Sequence, residues 1–118
     1  MNRADAKTPS TPARYASTIR LRPGQEAEYR QLHAAVWPEV IEQIHRSGIR
    51  NYSIFLRDGI LFAYYEYVGD DHDADLAAMA QDDKTRAWWT LTGPCQLPIE
   101  SAGPDEWWAA MGEVFHVD

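Results

Sequence analysis

The residue types best suited to chemistry in this 118-residue chain fall in three short stretches. Tyr29, His33, Trp37 and Pro38 lie in a helical pattern, Asn51-Tyr52 opens a strand, and Trp88-Trp89 form an adjacent pair. Tyr29 and His33 are four residues apart, so on a helix both side chains project from one face on successive turns, and Trp37 continues that row. The unperturbed pKa of histidine is about 6.5, so the His33 imidazole can give or take a proton at neutral pH with little tuning. Neighbouring phenol hydroxyls supply hydrogen-bond donors and acceptors, and indole rings supply apolar faces. Such a set suits a small polyhydroxylated ligand such as a sugar, whose C–H faces stack on rings while its hydroxyls need partners. Each residue also has an ordinary structural reading: a helical histidine at the edge of a core, a strand tyrosine, a core-filling tryptophan pair. Adjacent helical residues point about 100° apart, so one of Trp88 and Trp89 is expected to pack inward while the other lines a cleft.

Positioning these groups requires a regular frame, and the hydrophobic pattern supplies one. Residues 1–12 are small, polar and proline-bearing, which predicts a disordered tail ahead of a single domain over 13–118. Tyr15 to Leu21 alternates as a half-buried strand, with Tyr15, Ser17, Ile19 and Leu21 on one face, and Pro23-Gly24 ends it. A helical period then runs over 25–47 through Tyr29, Leu32, His33, Val36, Val40, Ile41 and Ile44. Pro38 interrupts it and predicts a kink or split, because proline lacks an N–H and crowds the preceding turn. Asn51 to Leu56 and Ile60 to Tyr67 read as strands joined by a tight turn at Asp58-Gly59, since both residues tolerate positive φ. Residues 74–81 and 83–91 read as two short helices or one broken helix, 96–104 as loop, 106–110 as a helical turn and 113–117 as a final strand.

The resulting order, β-α-β-β-α-β, is the pattern of a ferredoxin-like α+β domain, with one antiparallel sheet and helices packed on one of its faces. Strands this rich in tyrosine, phenylalanine, isoleucine and leucine would leave the other face as a large apolar patch. A symmetric homodimer is therefore expected, two sheets meeting as a dimeric α+β barrel.

Composition excludes several classes. A formal charge of −7, from 11 basic and 18 acidic residues, gives no footprint for nucleic acid or an anionic membrane. Cys95 is the single cysteine, so an intrachain disulfide is impossible and a cytoplasmic home is expected. The N-terminus has no signal-peptide pattern, and no apolar run approaches the roughly 20 residues of a membrane span. His33, His45, His72 and His116 are scattered, and the E-x-x-H spacing of Glu42 and His45 has no second copy, so no metal site is expected. With no glycine-rich phosphate loop either, the reading calls for no cofactor. Cys95 stands between prolines with no adjacent histidine and lacks the setting of a nucleophile.

Taken together, the run Tyr29 to Val40 (YRQLHAAVWPEV), the segment 47–54 (SGIRNYSI), Trp88-Trp89 and the terminal Glu113-Val114-Phe115-His116 closely resemble the L-rhamnose mutarotase family, over about residues 14 to 118. The resemblance implies the same ferredoxin-like fold and dimeric barrel. It also implies a cofactor-free isomerase that interconverts the α and β anomers of L-rhamnose or a related 6-deoxy sugar such as L-fucose. The family's proton donor falls on His33, and its sugar-binding positions fall on Tyr29, Tyr52, Trp88 and Trp89. The chain departs from the family in a short hairpin at Arg57-Asp58-Gly59 and, more seriously, over 93–108, where relatives tend to carry an Asn-Pro-Asp-Asn-Ser-Pro-like loop. There Trp107-Trp108 is expected to anchor the C-terminal strand, a second stacking surface being the alternative. Two other classes share these features: a cofactor-free oxygenase of the same barrel architecture, and a non-catalytic sugar-binding sensor in which His33 is only a hydrogen-bond partner.

Overall fold

The structure, a computed structural model, describes residues 11–118. The tail expected at 1–12 lies outside them except for Thr11 and Pro12, which precede the first strand without regular structure.

The first strand, β1 (Ala13–Leu21), realises the predicted alternation: Ile19 and Leu21 are buried, and Tyr15 and Ser17 share their face. The long helical period becomes two helices, α1 (Glu26–His33) and α2 (Pro38–Arg46). The break follows from Pro38. The residue before a proline is pushed out of the α region, and Trp37 is extended at φ −62°, ψ 135°. Pro38 itself occupies the first helical position of α2, where no N–H is needed. The strands β2 (Ile49–Arg57) and β3 (Ile60–Tyr67) are joined at Asp58-Gly59, whose φ values of +52° and +75° are those the tight turn demands.

The helices α3 (His72–Met79) and α4 (Asp83–Thr92) follow, each started by an aspartate. Asp71 accepts from the Ala74 N–H and Asp82 from the Thr85 N–H, satisfying donors the first helical turn leaves free. Across the sheet β1 pairs antiparallel with β3, and β3 with β2. With α2 packed on α4 and on β2, this is the ferredoxin-like α+β arrangement.

The C-terminal quarter differs from expectation. A 3₁₀ turn over 93–95 leads into a short strand β4 (Gln96–Leu97), where a loop was expected, and β5 (Ala109–Met111) stands where a helical turn was expected. Residues 113–117, expected as a strand, are exposed and irregular. The edge of β1 decides this. β4 takes Arg20 and Leu21, and β5 takes Ala16 to Thr18 in antiparallel register. Two residues past Met111, Glu113 already lies beside Arg14 at 2.9 Å, so the chain reaches the start of β1 and has no further edge to pair with.

The core is built from Ile19, Leu21, Tyr29, Leu61 and Cys95, with Leu32, Ile54, Leu56 and Trp108 packed against it. Burial pushes the Cys95 thiol up, consistent with an inert core residue. On the opposite sheet face, Phe55 is 59% exposed and lies across the strands from Phe62, ring centroids 6.2 Å apart.

Candidate active site

Between the inner sheet face and the helices lies a cavity of about 1270 Å³. Its walls include the five residues that the family resemblance assigned to the site, Tyr29 and His33 from α1, Tyr52 from β2, and Trp88 and Trp89 from α4, but neither Trp37 nor Pro38. Residues more than fifty positions apart in sequence thus share one concave surface of the kind ligands occupy.

At the end of α1, the His33 and Tyr29 rings lie 4.3 Å apart, as spacing of four on a helix requires. His33 Nδ1 is 2.9 Å from the Tyr29 main-chain oxygen. A carbonyl only accepts, so Nδ1 carries a proton and Nε2 is the ring atom left to exchange one. Trp37 arrives by another route than the continuous helical row expected of it. Displaced by the break before Pro38, its ring meets Trp88 edge-on at 5.3 Å, and Trp88 in turn meets His33 edge-on at 5.7 Å. The tryptophan pair divides as the helical geometry predicts: Trp88 is 6% exposed and Trp89 43%.

Tyr52 reaches the cavity through a β-bulge. Arg50 pairs with Glu66 and Ser53 with Tyr64, so Asn51 and Tyr52 together stand opposite Tyr65. Ile49 and Tyr52, three positions apart, would face opposite sides of a regular strand, yet both line the cavity. Asn51 makes the bulge by adopting φ +50°, a left-handed conformation asparagine tolerates, and its amide donates to Glu66 at 2.7 Å. Tyr52 is 42% exposed because its surface forms cavity wall, and its ring meets Tyr65 edge-on with centroids 5.8 Å apart. Burial, with the nearby Tyr29 phenol, pushes its pKa up to about 12. Burial also raises Tyr29, partly opposed by a hydrogen bond from Gln96, and takes Tyr65 up to about 12. At neutral pH these three phenols keep their protons and serve as hydrogen-bond donors.

The sequence model of the L-rhamnose mutarotase family matches residues 14–117. The chain belongs to the L-rhamnose mutarotase family. It is 38% identical over 95 residues to the L-rhamnose mutarotase of Burkholderia orbicola (strain MC0-3), an alignment covering 74% of this chain and 88% of that protein. The L-rhamnose mutarotase of Bacteroides thetaiotaomicron is 33% identical over 109 residues, covering 89% and 98%. In three dimensions, the crystal structure of L-rhamnose mutarotase from Formosa agariphila superposes with a TM-score of 0.68 at 25% identity, covering 90% of this chain and 99% of that one. The protein is therefore an isomerase of the mutarotase kind. No helix among its described residues is long and apolar enough to cross a membrane.

Two further groups of cavity residues in this mutarotase were not among the site residues expected from the sequence, Trp107 having been weighed there only as an anchor or a second stacking surface. From the divergent C-terminal segment, the Trp107 indole N–H donates to Gln96 Oε1 at 2.7 Å, and Gln96 Nε2 donates to the Tyr29 hydroxyl at 3.2 Å. Trp108 packs on the core as an anchor, so the adjacent tryptophans have separate tasks. No local signal marks Gln96, since its importance arises from strand pairing with Leu21. Across the cavity, His72 stacks on Tyr15 with centroids 3.9 Å apart, and its Nε2 lies 2.6 Å from the Tyr65 hydroxyl. Tyr65 was foreseeable, because it alternates with Leu61 and Ala63 on the inner face of β3.

Proposed function

We propose that this mutarotase interconverts the α and β anomers of L-rhamnose or a closely related 6-deoxy sugar, with L-fucose as the alternative substrate, using His33 as proton donor. The observation supporting this most is the Nδ1–H bond from His33 to the Tyr29 carbonyl, which holds the ring and reserves Nε2 for the substrate. Opening a pyranose requires a proton on the ring oxygen and removal of the proton from the C1 hydroxyl. Protonated His33 delivers the first through Nε2 while solvent water takes the C1 hydroxyl proton, and when the sugar recloses on the other face the neutral ring takes back the proton of the ring oxygen and the C1 oxygen regains one from solvent. Tyr29 and Tyr52, kept protonated by burial, donate to sugar hydroxyls and hold the geometry. Trp88 and the more open Trp89 offer a stacking surface for the apolar side of the deoxy sugar, its C6 methyl included. The reaction moves only protons, so this reading calls for no cofactor.

The working unit in this reading is a homodimer. Phe55, Phe62 and Ile60 form an exposed apolar strip on the sheet face away from the cavity, and a second copy covers it by placing sheet against sheet.

Saturation-transfer proton NMR on the anomeric signals of L-rhamnose and L-fucose tests the activity. Wild-type protein is expected to accelerate α/β exchange of at least one sugar, and His33→Ala, still folded, to lose that acceleration. Sugar binding without faster exchange would move the protein to the sensor class. No binding and no exchange would leave the oxygenase reading of this fold.

A further inference from the structure

We propose that Trp107 and Gln96 are positioning residues that set the Tyr29 phenol as a hydrogen-bond donor to the sugar, an inference that rests on the mutarotase reading above. The argument turns on which atoms can donate. An indole N–H has no acceptor capacity, so the side chain facing it must present an oxygen, and Gln96 presents Oε1 at 2.7 Å. That choice turns the amide nitrogen of Gln96 toward Tyr29, where Nε2 donates to the hydroxyl at 3.2 Å. The opposite amide orientation would set the NH₂ group against the indole N–H, two donors facing each other. Because Gln96 is only 4% exposed, water cannot relieve such a mismatch. With its oxygen already accepting, the Tyr29 hydroxyl directs its own proton elsewhere, and Tyr29 is among the residues that line the cavity.

The same tyrosine holds His33 Nδ1 through its main-chain carbonyl. Tyr29 thus joins the proton donor of the proposed reaction to a chain that begins at Trp107, in the segment where the sequence departs from the family pattern. Removing the indole N–H frees Gln96 to rotate. Its Oε1 then accepts the Tyr29 proton, and the phenol presents to the sugar a lone pair instead of a donor. Sugar oxygens that were hydrogen-bonded by Tyr29 lose that bond in ground state and transition state alike, so the effect appears in KM more than in kcat.

The test is a double-mutant cycle on Trp107→Phe and Tyr29→Phe, with Gln96→Leu as an independent break in the middle of the chain. Both anomer exchange and L-rhamnose affinity, by NMR shift titration, are measured on the full chain. Trp107→Phe and Tyr29→Phe are each expected to raise KM and Kd about tenfold, the scale of one neutral hydrogen bond, and Gln96→Leu, which frees the Tyr29 hydroxyl without supplying an acceptor for its proton, only about two- to threefold, with kcat within about twofold throughout. The double variant is expected to match Tyr29→Phe, because both changes remove the same donor. Additive losses would assign Trp107 a separate packing role and overturn the proposal, as would unchanged affinity in both Trp107→Phe and Gln96→Leu. If wild type binds the sugar without accelerating exchange, the mutarotase reading fails but the affinity cycle still decides the positioning chain. If wild type does not bind the sugar at all, both fail.

Discussion

His33 Nδ1 sits 2.9 Å from the main-chain oxygen of Tyr29, one helical turn before it. This contact decides which nitrogen of the imidazole can act, and it needs only the helix that the spacing of these residues predicts. It also places His33 at the last position of α1, immediately before the break that Pro38 imposes, so the ring stands at a helix end beside the cavity.

Replacing His33 with alanine is expected to reduce anomer exchange by about 10²- to 10⁴-fold, the usual worth of a positioned acid–base group. His33 is half-buried and outside the central core cluster, so circular dichroism should show the variant folded. Activity within a factor of about three of wild type would remove His33 from the role of proton donor.

The phenols of Tyr52 and Tyr65 are held up to about 12 by burial, whereas unfolded tyrosines ionise near 10. Below about pH 10 both states keep these protons and the difference has no effect. Between roughly pH 10 and 12 the unfolded chain binds fewer protons than the folded one, so stability falls as pH rises through that window. Urea midpoints measured at steps across it should decline, and Tyr52→Phe should decline less steeply. Phenolate absorbance of the native protein should show late-titrating tyrosines, fewer in Tyr52→Phe.

Asn51 at φ +50° makes the bulge that directs Tyr52 inward. Asn51→Gly is expected to be close to neutral, while Asn51→Val, branched at Cβ, should destabilise by about 1–2 kcal/mol. Chemical denaturation measures the cost. Because the bulge aims Tyr52, Asn51→Val should also weaken sugar binding more than Asn51→Gly does; equal affinity in the two variants would separate the bulge from the site.

Placing a charge on the outer sheet face tests the dimer. Phe55→Glu, on its own and combined with Phe62→Glu, should convert a dimer to a monomer in sedimentation velocity, since a carboxylate buried between two apolar sheets has no partner there. A wild-type protein that sediments as a monomer at tens of micromolar would set the homodimer aside.

Much of the frame was legible because its causes are local. Alternation placed β1 and β3, the sterics of Pro38 split the long helical period, and the tolerance of Asp58-Gly59 for positive φ fixed the hairpin. The C-terminal strand was misplaced by several residues because the alternation of Val114 and its neighbours has no edge to pair with: β1 ends where Glu113 meets Arg14. The second strand was expected to open at Asn51, whereas β2 begins at Ile49 and brings Tyr52 to the cavity through a bulge.

The sequence by itself contained five of the cavity residues: one imidazole, its phenol a turn away, a second phenol and a tryptophan pair, in a spacing that local periodicity assigns to elements. Only the tertiary structure decided how they are wired. Gln96 donates to Tyr29 across 67 positions of chain, and His72 comes to Tyr65 and Tyr15 only once β1 and β3 are in register. Helical and strand periods report what a residue's near neighbours allow, whereas a hydrogen bond between distant side chains depends on which sheet edge is free and in what register it is filled.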